Sequence, residues 1–305
     1  MPRALPVVQS GSGGVDAPPP FGRIGIVGLG LVGGSIALAA RRLWPRALVV
    51  GVDRNDVLEA AQRLHAVDVA ADDLGMLKEV ELVVLAAPVG ENIRLVGELA
   101  DAVDGEAVVT DVGSTKQAIV AAAGTLPPRL TFVGGHPLAG AAHGGIAHAS
   151  AELFRGRPWV LTPAEAGAGS AALARVETFV RALGAHPVVM SPADHDRLVA
   201  WTSHLPQLAA SALMAVVGEA VSDEGLALAG PGLRDTTRLA SSPARVWADI
   251  CRTNGAAVRE ALDSLVALLG ELRDRLEDPA AIERLFERAG RWRARLDETT
   301  RRDAS

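Results

Sequence analysis

Cysteine is nearly absent. Cys251 stands alone, which excludes an intrachain disulfide framework and any multi-cysteine metal or iron–sulfur site. Lysine is almost as scarce: only Lys78 and Lys116 occur, and every other basic residue is arginine. An excess of positive charge is missing too, since 30 Lys+Arg against 36 Asp+Glu give a net charge of −6 and a pI near 5.7. That balance argues against nucleic acid or an anionic membrane surface as the main partner. No apolar run reaches the roughly 18 residues needed to span a bilayer, and the N-terminus shows no basic-then-apolar signal pattern. The expectation is a soluble, cytoplasmic globular protein. What is present is ample: 305 residues, 49% of them hydrophobic, can bury two cores at about 150 residues per domain.

Residues 1–20 are rich in proline, glycine and small polar side chains and predict a flexible tail. Short apolar runs follow at 23–28, 47–53, 82–88, 107–113, 130–137 and 158–163, alternating with Ala/Leu-rich stretches. Runs without polar alternation suit strands buried on both faces of a parallel sheet. The texture changes near Pro192. Helical stretches then fill 195–221, 243–274 and 279–299, interrupted by a loop-like, arginine-bearing segment at 225–247. The expected fold class is α/β, a Rossmann-type doubly wound sheet over 21–190 followed by an all-helical domain over 191–305.

The segment Gly28-Leu29-Gly30-Leu31-Val32-Gly33 follows the first strand directly and opens a helix. In that context the glycines have separate tasks. Gly28 permits a tight turn, Gly30 lets the backbone approach a pyrophosphate, and Gly33 lets helix and strand pack closely. Asp53 ends the second strand, 20 residues beyond Gly33, where a carboxylate can accept from both ribose hydroxyls of NAD and repel the added phosphate of NADP. Arg54, beside it, can stack on adenine or meet a 2′-phosphate. Ala87 and Pro88 end the next strand over the cofactor, or are a plain strand terminus.

His136, in GGHPLAG at the carboxyl end of a strand, can serve as a general base for a hydroxyl proton; the alternative is a hydrogen-bonded turn histidine. Ser114 and Gln117, in DVGSTKQ, fit a capping box that would also aim helix amides and a hydroxyl at the ligand edge. His204 and Gln207 share one helix face. Pro206 cannot donate to the carbonyl of Thr202, so a bent, cavity-lining helix is expected, against the alternative of a buried, satisfied histidine. Arg234, Asp235, Arg238 and Arg245 suit a carboxylate clamp, with plain surface solvation favoured for Arg245. His136, His143 and His148 lack a supporting carboxylate or thiolate pattern, so no metal is expected.

The ordered set GLGLVGGS, AAPV, DVGSTK, GGHPLAG, HD…SHLP and RDTTRLASS…VW resembles the prephenate dehydrogenase family over about residues 23–275. The resemblance implies NAD-dependent oxidative decarboxylation of prephenate to 4-hydroxyphenylpyruvate on the way to tyrosine. It implies His136 as the catalytic histidine and Ser114 as the serine that bonds the substrate hydroxyl. Arg238 would bind a substrate carboxylate, Asp235 would join the ionic network at the entrance, and Trp247 would line the active site. It also implies a homodimer formed through the helical domain. The chain departs from the family at Gln207, where many members have histidine, and at Ala141 and Ala142, where some carry an acid. Arogenate, or dual cyclohexadienyl use, is therefore the alternative, although no acid at 142 awaits an arogenate ammonium. Two rivals remain. A β-hydroxyacid dehydrogenase relies on a helical-domain lysine, and both lysines here precede residue 120. A non-catalytic NAD-sensing module would leave His136 incidental.

Overall fold

The computed structural model describes residues 18–140, 143–164 and 170–302. Most of the expected tail and both Ala141 and Ala142 lie outside these residues. By compactness the chain forms two units: residues up to Val199 together with Ser241–Gly255, and Ala200–Ala240 together with Ala256–Ser305.

The first unit is built on one sheet of eight strands in the order β3-β2-β1-β4-β5-β6-β7-β8. Its elements run β1 (Arg23–Val27), α1 (Leu31–Leu43), β2 (Leu48–Val52), α2 (Asn55–Arg63), β3 (Val69–Ala71), β4 (Leu82–Leu85), α3 (Val89–Val96), α4 (Leu99–Ala102), β5 (Ala107–Asp111), α5 (Gln117–Ala123), β6 (Leu130–Pro137), β7 (Pro158–Pro163), α6 (Ser170–Ala182), β8 (His186–Val189) and α7 (Pro192–Val199). All six runs read as strands are strands. The apolar residues of the central strands divide between two faces with period two, as pleating requires. Ile24, Ile26, Leu82 and Val84 pack with α1 and α6, whereas Val83, Leu85 and Val109 pack with α3, α4 and α5.

Two strands escape the sequence reading. β3 has three residues, and β8 leaves Val188 and Val189 exposed. Edge strands this short carry no long apolar run to announce them. The sheet also departs from the parallel expectation, because β7 runs antiparallel to β6, with Gly134 opposite Thr162 and His136 opposite Val160. Between these two strands the described residues hold only the 3-10 turn Ile146–His148, and without a crossover helix the chain returns in the opposite direction.

The expected helical stretch 243–274 is two helices, α11 (Ala244–Thr253) and α12 (Gly255–Asp274), and α11 belongs to the sheet-bearing unit. The second unit holds α8 (Leu205–Ala220), α9 (Asp223–Ala227), α10 (Pro231–Thr236), α12 and α13 (Pro279–Arg302). The segment expected to be a loop is largely helical. Ser222 caps α9, Pro231 sits in the first turn of α10, and Arg238–Ser241 form a 3-10 turn. Where a bend was expected, Pro206 sits in the first turn of α8, and a π-helical turn, Ala200–His204, runs directly before it. Among the described residues no helix is long and apolar enough to cross a membrane.

Candidate active site

Strand order reverses around β1, so the loops after β1 and β4 diverge and open a crevice at the carboxyl edge of the sheet. A groove of about 1420 Å³ occupies this place, lined by Gly28, Asp53, Arg54, Ala87 and Pro88 among others. The three glycines stand in three different settings. Gly28 has φ +94, and a Cβ there would lie 2.7 Å from the Ala86 carbonyl carbon. A Cβ on Gly33 would lie 1.9 Å from the Gly28 carbonyl oxygen. A Cβ on Gly30 would meet nothing within 4 Å. Packing inside the chain therefore does not demand glycine at position 30. Gly30 is also the N-cap of α1.

Not every residue of the motif faces the groove. Leu29 is fully buried in the core, and Val32 packs against it. Leu31 is half-buried at the first position of α1. The Leu29 amide donates to Asp53 Oδ2 at 2.6 Å, so the glycine loop and the acid at the end of β2 hold one another. The opposite wall was not legible. Arg245, taken from sequence as a surface residue, lines the groove with Arg252 and Asp249 of α11. Asp249 accepts from the Gly90 amide at 2.7 Å and thereby caps α3. Burial works to raise its pKa, yet the Gly90 amide and the Arg252 guanidinium together hold it below the ordinary carboxylate value.

A second cluster lies along the same sheet edge. The buried Asp111 carboxylate, at the end of β5, accepts from the amides of Gly113 and Gly135 at 2.8 and 3.0 Å. It also pairs with the buried Lys116 ammonium, which donates to the Gly135 carbonyl at 2.7 Å. Burial pushes the Lys116 pKa down, and Asp111 opposes this. These contacts fix the strand end that carries His136, whose ring is half-buried.

His136 Nδ1 lies 2.9 Å from Nε2 of His195, and His195 Nδ1 lies 2.8 Å from Asp196 Oδ1. Both partners are fully buried at α7, which packs on α5 and β7. The Asp196 carboxylate also accepts from the Lys116 and Gln117 amides at 2.7 and 2.9 Å. This corrects the capping expectation. Helix α5 starts at Gln117, and its end is capped across the fold by Asp196 rather than locally by Ser114. Ser114 is half-buried on the turn between β5 and α5. The next residue, Thr115, meets Thr253 of α11 at 2.8 Å, and Trp247 lies half-buried on that helix. The first unit thus carries His136, Ser114, Trp247 and the glycine loop. His204, Gln207, Asp235 and Arg238 belong to the helical unit. There His204 and Gln207 are buried, and the Gln207 amide donates to the Leu239 carbonyl at 2.6 Å. Asp235 and Arg238 are exposed.

Family models match in sequence order: prephenate dehydrogenase, nucleotide-binding domain, over residues 36–189, and prephenate dehydrogenase, dimerization domain, over 191–289. The chain belongs to the prephenate dehydrogenase family. It is 36% identical over 270 residues to the prephenate dehydrogenase of Bacillus subtilis (strain 168), covering 86% of this chain and 71% of that one. The crystal structure of Synechocystis arogenate dehydrogenase superposes with a TM-score of 0.76 at 32% identity, over 90% of this chain and 99% of that one. That of prephenate dehydrogenase from A. aeolicus, in complex with hydroxyphenyl propionate and NAD+, gives 0.83 at 28% identity, over 91% and 98%.

As a prephenate dehydrogenase family member the protein is an oxidoreductase with a nucleotide-binding domain and a dimerization domain. Against that background His195, Asp196, Asp111, Lys116 and Asp249 are the residues that sequence reasoning passed over, and Arg245 is one it favoured as plain surface. An adjacent His-Asp pair at the start of a helix and a lysine within a strand-to-helix turn were the available signals. Neither says which partner it will find.

Proposed function

We propose that this chain catalyses the NAD-dependent oxidative decarboxylation of prephenate to 4-hydroxyphenylpyruvate, with His136 accepting the proton of the ring C4 hydroxyl. The observation that carries this reading is the position of His136: at the carboxyl edge of the sheet that also bears the glycine loop, half-buried, with Nδ1 already engaged by His195. Bound NAD supplies a hydride acceptor. The loop of Gly28, Gly30 and Gly33 holds its pyrophosphate, and Asp53 and Arg54 receive its adenosine end beside Ala87 and Pro88. The backbone contact from Leu29 sets the orientation of the Asp53 carboxylate before any ligand arrives.

On the protein side three tasks remain. His136 takes one proton, which matters because oxidation at C4 makes the hydroxyl far more acidic. Ser114 hydrogen-bonds that hydroxyl and orients it. Arg238 binds a substrate carboxylate as a bidentate donor, with Asp235, His204, Gln207 and Trp247 completing the substrate residues. Loss of carbon dioxide from C1 leaves its electron pair to make the ring aromatic, and the ring oxygen takes the proton back from His136 to give the phenol, so the enzyme's contribution is mainly positioning. The protein acts as a homodimer. Phe286, Trp292 and Leu296 on α13 and Val266 and Leu269 on α12 are exposed, a load of apolar surface that a second copy would cover. The similarity to an arogenate dehydrogenase favours arogenate as the second substrate reading.

NADH absorbance with prephenate and with arogenate, side by side, tests the proposal. Prephenate is expected to give the higher kcat/KM. His136→Asn is expected to lower kcat by roughly 10²–10⁴ while leaving the NAD dissociation constant unchanged. A flat trace with both substrates overturns the enzymatic reading, and an unaltered kcat in the variant removes His136 from the reaction.

A further inference from the structure

Two fully buried polar residues stand behind His136, and proton abstraction by a lone imidazole explains neither. Asp196 accepts three hydrogen bonds: from the Lys116 amide, from the Gln117 amide and from His195 Nδ1. Burial alone would raise its pKa, but His195 and the two amides hold it below the ordinary carboxylate value, so it is an anion and an acceptor only. The hydrogen shared with His195 must therefore sit on His195 Nδ1. A neutral His195 then has its lone pair on Nε2, the atom 2.9 Å from His136 Nδ1. One of those two nitrogens has to donate, and only His136 Nδ1 can. The lone pair of His136 is thereby assigned to Nε2. The two rings meet edge-to-face, with centroids 5.1 Å apart, so the pair is held by packing as well.

We infer that His195 and Asp196 are positioning residues that lock His136 in the tautomer protonated at Nδ1, so that Nε2 is always the proton-accepting atom. This rests on the reading of His136 as the base. When Nε2 receives the substrate proton, the resulting imidazolium keeps its Nδ1–H on His195, and the Asp196 carboxylate lies one ring away to stabilise the charge. The Lys116 ammonium, at the start of α5, also feels the Asp196 charge, and its own partner is Asp111 at the end of β5. Oδ1 of Asp196 is shared by His195 Nδ1 and the Lys116 amide, while Oδ2 takes the Gln117 amide, so an asparagine with its oxygen at the Oδ1 position would keep the tautomer, lose one cap and remove the negative charge.

Nitrogen-15 NMR of the ligand-free protein labelled in histidine reads the tautomers without any turnover. Both His195 and His136 are expected as Nδ1–H forms; finding His136 as the Nε2–H form overturns the inference. In turnover, Asp196→Asn, which keeps an acceptor for His195 Nδ1 but removes the negative charge, is expected to lower kcat by roughly tenfold and to displace the acid limb of the pH profile. His195→Phe, which removes the acceptor but leaves α5 capped, is expected to lower kcat by roughly tenfold with the same displacement. NAD affinity should be unchanged in both. Wild-type kcat and pH profile in His195→Phe overturn the inference even if Asp196→Asn does not fold. The two readings fail separately: if His136→Asn is inactive while these variants behave as wild type, the base survives and the lock does not. If His136→Asn is fully active, the base is lost whatever tautomer the spectrum shows.

Discussion

The ammonium of Lys116 lies against the Asp111 carboxylate with both side chains fully buried, and it donates a second hydrogen bond to the carbonyl of Gly135, the residue before His136. One ion pair therefore ties the turn after β5 to the strand end that carries the proposed base. Removing one member of a buried pair strands the other without a partner. Lys116→Met is expected to cost about 3–5 kcal/mol of stability. Urea denaturation measures it, and an unchanged midpoint would show that the pair contributes nothing net.

Gly30 and Gly33 should respond oppositely to the same substitution. Gly30→Ala places its methyl group in open space, so folding is expected to be normal while NAD binding weakens by tenfold or more. Gly33→Ala places a methyl group on the Gly28 carbonyl and is expected to lower the melting temperature by several degrees. Thermal unfolding and NAD titration of both variants separate packing from ligand approach. Equal losses of affinity and stability in the two would contradict the assignment.

Asp53→Ala has two expected effects because its carboxylate has two duties. Discrimination against NADP should relax, and NAD affinity should fall as the Leu29 amide loses its acceptor. Steady-state kinetics with both cofactors provide the check. Cofactor preference identical to wild type would remove Asp53 from ribose recognition.

Acid should destabilise the sheet-bearing unit through carboxylates that cap its helices. Asp196 and Asp249 are both held below their ordinary pKa in the folded protein. The unfolded chain thus binds more protons as pH falls through the carboxylate range, so the stability they contribute is present above about pH 4 and is lost below it. Denaturation midpoints measured from pH 6 to pH 3 should fall, and fall less steeply in Asp249→Asn. Parallel pH dependences in the two proteins would sink this account.

Much of the fold was legible because its signals are local. Six buried strands, the glycine loop and the all-helical texture after Pro192 are written in runs of about four to twenty residues, where periodicity and turn chemistry act directly. The short edge strands β3 and β8 were not legible, since half-exposed pairing needs no apolar run. Nor was the reversal of β7, which depends on how the chain returns after β6.

By itself the amino-acid sequence determined where the glycines had to be, which acid follows them, and that a histidine would end β6, because turn sterics and strand periodicity are properties of neighbours in the chain. Tertiary structure alone decided what stands behind that histidine. Asp196 meets the first amides of α5 from 80 and 79 residues away, and Asp249 meets Gly90 across 159. A buried carboxylate accepts from whichever donors packing brings to it, and that choice is made only when the sheet and its helices close together.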